Sequence, residues 1–513
     1  MGLVSRVIKS LINGVSQQSP SARLDNQVEA QVNMIPDIAG ILTRRSPVKL
    51  DDIETQDGSR VYADEHAMFT MTIQGEKVSC GIKPDGTLYR FDEDNANTTS
   101  IIQLASSKTY LTHTDKDDIS TVETSDSLVI LNRGITVALE TAPTASTNVN
   151  TRALLWVTQA QSGATYKVWH TDVSTSTKRL IAEHVAIAAD TPQYIMQKLV
   201  SGASTGNDMY KYLDSLGAGY IATIESTFHT EKNTCIVRGK DMDFLEVECD
   251  YGDYIFTTKE ADFGNTKVLK DTSNLPAKID TNVLDVLTPS NTTNYANFII
   301  RVNPLIGETL TNYYLRYSED FDAWVEVSDD YVTTIDNTTM PITIVKDTVT
   351  TLDIAHSVFT APLAGDNLSN PPPTIVGSKI KDIIIYNSRL GFAGESTLVF
   401  SVIDDYYNLY RTATSSVLTK DVVDLELDSS KLGYSVIDNI FTMDNDIVIN
   451  TGLSQSILVM PTNLDISKAI FASISSFDLG NNIPIPVRRS MYFPIKQGSF
   501  SIIKSFQKDK SNG

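Results

Sequence analysis

Short runs of valine, isoleucine, threonine, tyrosine and phenylalanine recur along almost the whole chain, each closed by asparagine, aspartate or glycine. β-Branched and aromatic side chains suit a pleated surface, and Asn, Asp and Gly supply turn conformations, so the pattern predicts strands joined by tight turns. "GIKPDGTLYRF" sets Asp85-Gly86 between alternating runs, a hairpin signature. Helical periodicity is scarce. Its best stretch is "DTPQYIMQKLV", Asp190 to Val200, where Asp190 can cap, Pro192 falls in the first turn and Gln193 takes the capping-box position. Val4, Val7, Ile8, Leu11 and Ile12 fit one further helical face at the start of the chain.

A layout repeats within the strand-rich regions. "SDSLVILNRGITVAL" (125–139), "NSRLGFAGESTLVFS" (387–401), "DNDIVINTGLSQSILVM" (444–460) and "RRSMYFPIKQGSFSII" (488–503) each carry a polar pair, an apolar strand, a turn and a second apolar strand. Leu390 to Ile447 is a step of 57 residues and Ile447 to Met491 a step of 44, close to the roughly 40–50 residues of a propeller blade. The fold expected is therefore mainly β, with β-propeller-like repeats and inserted α+β and β domains. Residues 1–55 read as an extended N-terminal arm, 56–145 as the first propeller-like blades and 146–275 as an inserted α+β domain. A second β insertion over 276–365 and later blades over 366–513, incomplete at the C-terminus, finish the division. The Thr/Ala/Ser-rich stretch 141–165 reads as an exposed approach to the first insertion, and "DNLSNPPPTIVGSK" (366–379) as the return into the repeats.

Composition narrows the function. The balance of 42 Lys+Arg against 63 Asp+Glu gives a net charge of −21, which repels phosphate backbones and argues against sequence-specific nucleic-acid binding. Cys80, Cys235 and Cys249 form no CxxC spacing and no even-numbered framework, so neither a disulfide scaffold nor a structural zinc site is expected. Arg6 and Lys9 interrupt the leading apolar residues, and no run approaches the length of a membrane span. These features predict a soluble protein made in a reducing compartment, with no membrane anchor.

Catalytic patterns are missing. There is no GxxxxGK[ST], HExxH or GxSxG, "GAGY" lacks the third glycine of a dinucleotide fingerprint, and the six histidines are scattered. Two acidic runs bear on hydrolysis: "CDYGDY", with Asp250 and Asp253, and "SEDFDAWVEVSDD", with Glu319, Asp320, Asp322, Glu326, Asp329 and Asp330. Paired carboxylates beside aromatics can perform the acid and base steps of a glycosidase, and they equally form solvated turns in an acidic β protein. Trp324 reads as a core aromatic. No cofactor or metal is expected, and no catalytic residue is assigned.

The polar leader "NGVSQQSPSARLDNQVEAQVNMIPDIAGILTRRSP" carries Gly14, Ser16, Gln17, Gln18, Arg23, Gln27, Asn33, Gly40, Arg44, Arg45 and Pro47 in an order that resembles the N-terminus of the tail tubular protein B family, the nozzle proteins of short-tailed bacteriophages. Further segments resemble the family in the same order: "NLPAK" (274–278), "YYLRY" to "AWVEV" (313–327), "TTMPITIV" (338–345), "PPPTIVGSKIKDIIIYNSRLGFAGE" (371–395), "DYYNLY" (405–410) and "VRRSMYFPIKQGSFSII" (487–503). The resemblance implies a non-enzymatic virion tail component, made in the host bacterial cytoplasm. Its expected form is a homo-hexameric ring below an adaptor (tail tubular protein A-like) ring, extending the channel for genome DNA without specific binding and helping to anchor a tail fibre protein. Gln17, Gln18, Arg23, Arg44 and Arg45 are then the expected assembly-interface residues, because amides and arginine forks suit polar ring contacts. Family members continue beyond the "MYFP" block, whereas this sequence ends at "SFQKDKSNG". The expectation is that another chain completes the nozzle and covers the C-terminal strand edge, or that this is a shorter version or fragment. The alternatives are a tail-associated glycan hydrolase and a carbohydrate-binding propeller module.

Overall fold

A computed structural model of the chain describes residues 15–16, 18–19, 21–24, 27, 34–36, 42–44, 66–73, 76–91, 100–103, 105–124, 127–141, 151–172, 175–201, 209, 221–222, 233–239, 245–259, 272–275, 299–305, 311–318, 320–329, 332–348, 351–416, 418–427, 436–443, 446–451, 453–459, 470–476, 484–487, 490–497 and 500–507. It divides into a leading unit, 1–63, and a large unit, 64–513. The leading helical face at residues 4–12 lies outside the described residues. In the first unit Met34–Pro36 and Leu42–Arg44 form an antiparallel hairpin with Met34 opposite Arg44.

The large unit is mainly β, as the alternation of apolar and polar residues predicts, and its strands form several small sheets. Five of them stack in sequence. The first sheet is the meander Ala67–Ile73, Glu76–Ile82, Leu88–Phe91. The second has the order Ser100–Gln103, Thr351–His356, Ile342–Thr348, Ser127–Asn132, Ile119–Glu123, with one parallel pair between its first two strands. The third runs Asp382–Tyr386, Arg389–Ala393, Thr397–Phe400, Val423–Glu426, and the fourth Ile437–Met443, Asp446–Thr451, Gln455–Val459, Ile470–Ser475. The fifth is Ile485–Val487, Ser490–Gln497, Phe500–Gln507.

Each neighbouring pair of sheets encloses its own apolar layer. Met71, Val78, Cys80 and Ile82 of the first sheet meet Leu128, Ile130, Ile342 and Ile344 of the second. On the opposite face of the second sheet, Val129 and Leu131 meet Ile383, Leu390, Phe392 and Val399 of the third. Tyr386, Leu398 and Phe400 then face Ile440, Ile447 and Ile449 of the fourth, whose Met443 and Val448 face Met491, Phe493 and Ile495 of the fifth. A sheet between two layers is apolar on both faces. This explains why Arg389–Ala393 and Asp446–Thr451 are buried at every position and read as continuous rather than alternating runs. Among the described residues the sheets do not close into a propeller ring.

Three of the four repeats fold as anticipated: 387–401, 444–460 and 488–503 are the second and third strands of the last three sheets. The fourth does not. Ser127–Asn132 is a strand, but residues 135–139 make only isolated bridges, Thr136 to Lys379 and Leu139 to Ile335. The apolar pattern there serves a crossing loop, with Val137 in the layer between the second and third sheets. The exposed approach expected over 141–165 also fails in part. Thr151–Val157 is a strand between two others, and Leu154, Leu155, Trp156 and Val157 are wholly buried.

Between Ser127–Asn132 and Ile342–Thr348, which pair with each other, the chain builds three further sheets. They are Thr177–Val185, Thr165–Asp172, Leu245–Cys249, then Ile221–Ala222, Thr234–Gly239, Thr151–Val157, Ile255–Lys259, then Ile299–Val302, Tyr313–Ser318, Ala323–Val327. Helix Pro192–Ser201 buries Ile195, Met196, Leu199 and Val200 against the first two. Its cap is Thr191, whose Oγ1 accepts from Tyr194 N at 3.2 Å, and not Asp190. Asp190 is instead taken by His184 Nε2 at 2.8 Å and Ile187 N at 3.0 Å, so a tertiary partner displaces the local cap. With Thr191 as cap, Gln193 is out of capping-box position, while Pro192 begins the helix, where its missing N–H costs nothing. Gly86 turns the chain between Glu76–Ile82 and Leu88–Phe91 at φ +82°, the left-handed region that the Asp-Gly pair anticipates.

Candidate functional site

Two of the five expected interface residues are described with their side chains. Ser19 to Arg23 forms a turn in which Ala22 N and Arg23 N donate to Ser19 O at 2.9 and 3.1 Å. That turn brings Arg23 Nη2 back to Gln18 O at 3.2 Å, while Gln18 N donates to Oγ of the buried Ser16 at 3.3 Å. Gln18 and Arg23 therefore share one turn, with Val15 and Leu24 exposed beside them. Arg44 ends the strand Leu42–Arg44. Gln17 and Arg45 lie outside the described residues.

The acidic runs have structural partners. Asp250 Oδ1 accepts from Thr165 N at 2.7 Å, and that bond holds its carboxyl below the ordinary value. Asp322 occupies a left-handed turn position and accepts from the Tyr317 hydroxyl. Glu326 Oε1 accepts from Thr414 N at 2.5 Å and Thr414 Oγ1 at 2.8 Å, and its Oε2 from Ser415 Oγ at 2.5 Å. These carboxylates fasten turns and loops, the role that solvated acidic turns predict. Glu319 and Asp330 lie outside the described residues. Trp324 stands edge-on to Tyr317 with ring centroids 5.6 Å apart, beside the core of Leu154, Trp156 and Ile300.

The 371–395 block holds the stack together. Arg389 is completely buried, and its Nη1 donates to Ser401 O at 2.6 Å and Asp421 O at 2.5 Å, with Nη2 to Thr419 O at 3.0 Å. One guanidinium thus pins both ends of the 401–421 loop. Gly391 is obligatory for a different reason: a Cβ there would stand 2.5 Å from the Phe400 ring. Asp382 ties three sheets, accepting from Ser120 Oγ of the second at 3.1 Å and from Ile440 N of the fourth at 3.0 Å, with Arg133 Nη2 at 3.3 Å. Burial pushes its carboxyl above the ordinary value, with Arg133 pulling the other way. Sequence reading missed Asp382, because nothing local distinguishes a carboxylate that three distant segments surround.

Against this framework, the family model described as bacteriophage nozzle protein matches residues 1–512. The chain belongs to that family. The tail tubular protein gp12 of Escherichia phage T7 is 21% identical over 527 aligned residues, which cover 99% of this chain and 60% of that protein. The nozzle-family chain thus spans about three-fifths of the length of that curated relative. Among the described residues no group of three or more His, Cys, Asp or Glu could hold a metal ion, and no helix is long and apolar enough to cross a membrane.

Proposed function

We propose that the protein is a structural subunit of a phage tail nozzle, part of a ring that extends the channel through which the genome leaves the capsid. The observation that carries this reading is the nozzle-family match over 1–512. The stack supports a propeller-like body: Ile119–Glu123 packs beside Asp382–Tyr386, which packs beside Ile437–Met443, which packs beside Ile485–Val487. Edge strands that gather in this way suit the inner wall of a propeller, with the rest of each sheet radiating outward. The ring is hexameric, lies below an adaptor ring and helps to hold a tail fibre protein. Residues Gln17, Gln18, Arg23, Arg44 and Arg45 of the leading segment contact the next subunit or the adaptor. A net charge of −21 gives the channel lining a sign that DNA slides past without sticking.

Electron-microscopic averaging of particles carrying an affinity tag on this chain tests the reading. A ring of six tagged subunits coaxial with the tail is expected. Particles without the chain, or a tagged density lacking rotational symmetry, would overturn it.

A further inference from the structure

The three inserted sheets form one body. Thr151–Val157 buries Leu155 and Val157 with the helix Pro192–Ser201, and Leu154 and Trp156 with Ile300, Val302, Leu315 and Tyr317 of the third inserted sheet. Substantial packing between elements stays inside this body or inside the five-sheet stack. Among the described residues, no apolar cluster contains side chains of both. The joint between them is polar. Tyr314 donates to Asp366 Oδ2 at 2.6 Å. Glu326 accepts from Thr414 N at 2.5 Å, Thr414 Oγ1 at 2.8 Å and Ser415 Oγ at 2.5 Å, and the Thr414 hydroxyl also reaches Asn312 O at 3.3 Å. Gly365 N donates to Val327 O at 3.2 Å and Gly365 O accepts from Asp329 N at 2.8 Å, a parallel bridge about Ser328. Gly365 stands where these bonds converge, at φ +75°, and a Cβ there would lie 2.6 Å from Thr414 Cγ2 and 2.7 Å from Ser369 Oγ. On the stack side the joint is firm. Buried Asn370 donates to Ala364 O at 2.9 Å and Arg411 O at 3.0 Å and accepts from Arg411 N at 3.1 Å, so the loops bearing Gly365 and Thr414 are tied together.

We infer that this joint is a hinge: the inserted body turns as a unit about Gly365, and Glu326 with Thr414 and Ser415 is the catch that holds it closed. Each hydrogen bond across the joint exchanges for one with water at small net cost. Water reaches the catch, since Glu326 and Thr414 are half-buried and Ser415 is exposed. Opening it uncovers little apolar surface, whereas disrupting either body would expose a core. A glycine at a left-handed position absorbs the backbone rotation that a Cβ would block. The layers between stacked sheets show the contrasting case, in which apolar side chains cross the contact and hold it rigid. The hinge belongs to the chain itself and goes beyond the nozzle reading without depending on it.

Amide hydrogen exchange of the full chain, followed by mass spectrometry, tests the hinge. The amides of Asp329, Gly365 and Thr414 should exchange at least about tenfold faster than those within Thr151–Val157 and Arg389–Ala393, because the catch opens while both cores stay folded. Exchange of joint and cores at one common rate would overturn the inference. A second measurement follows the motion itself. Pulsed electron paramagnetic resonance reads the distance between nitroxides on Ile187→Cys of the insertion and Leu453→Cys of the stack, both exposed, in a Cys249→Ser background. Glu326→Ala should broaden that distance distribution about twofold, with exchange inside both cores unchanged. Gly365→Ala should broaden it equally by forcing the joint open from the other side. An unchanged distribution in either variant would sink the hinge. So would loss of protection within a core in both variants, which would make the joint part of the fold and not a moving element.

Discussion

Asp366 illustrates what single polar residues do in this protein. Its Oδ2 accepts from the Tyr314 hydroxyl at 2.6 Å, and its Oδ1 from Leu368 N at 2.9 Å and Ser369 N at 2.7 Å. Burial pushes the carboxyl up, but these donors outweigh it and leave the group below its ordinary value. A lowered folded value means the unfolded chain takes up the proton first on acidification. The stabilisation is therefore full above the usual carboxylate value of about 3.9 and is lost as pH falls below it. Asp366→Asn should cost about 1.5–3 kcal/mol at pH 7, the range for hydrogen bonds to a charged group, and less at pH 3. Urea unfolding of both proteins at the two pH values checks this, and an unchanged gap would refute it. The turn bonds to Leu368 and Ser369 are local, but the Tyr314 partner was not legible in sequence, because Tyr314 lies on an inserted strand 52 residues upstream.

Among elements, the 401–421 loop depends most on one distant side chain. Asn408 and Tyr410 are buried within it, and three of its carbonyls are collected by Arg389. Arg389→Ala would strand those carbonyls around a cavity, a loss of about 3–5 kcal/mol. Limited proteolysis should then cut within 401–421 before any other described loop of the stack; an unaltered digestion pattern would count against the role. The hairpins at 387–401, 444–460 and 488–503 were legible, since strand, turn and strand are adjacent and their period is local. The segment 135–139 has the same apolar content yet becomes a crossing loop, because its partners Lys379 and Ile335 lie far along the chain, in the later part of the sequence. The helix at 192–201 was found, but its cap moved from Asp190 to Thr191 once His184 claimed the aspartate.

For the whole molecule, the inserted sheets keep their own cores. Leu155, Tyr166, Ile181, Leu199 and Cys235 form one, and Leu154, Trp156, Ile300 and Tyr317 another, neither sharing residues with the layers of the stack. Polar contacts such as Tyr314 to Asp366 and Glu326 to Thr414 join them to the stack. The insertion should therefore melt as a separate unit. Trp156 stacks on Phe256 with centroids 5.6 Å apart, so Trp156→Ala should cost about 3–5 kcal/mol and lower one of two calorimetric transitions. A single transition shifting as a whole would refute this independence. By itself the sequence determined the β class, three of the hairpin repeats and the nozzle-family resemblance, because turns, strand periodicity and ordered motifs are local properties read in chain order. Only the tertiary structure decided that Thr351–His356 returns to pair with Ser100–Gln103 and that Asp382 ties three sheets. Those outcomes depend on which distant segments exclude water from one another, and burial of that kind leaves no pattern within any one segment.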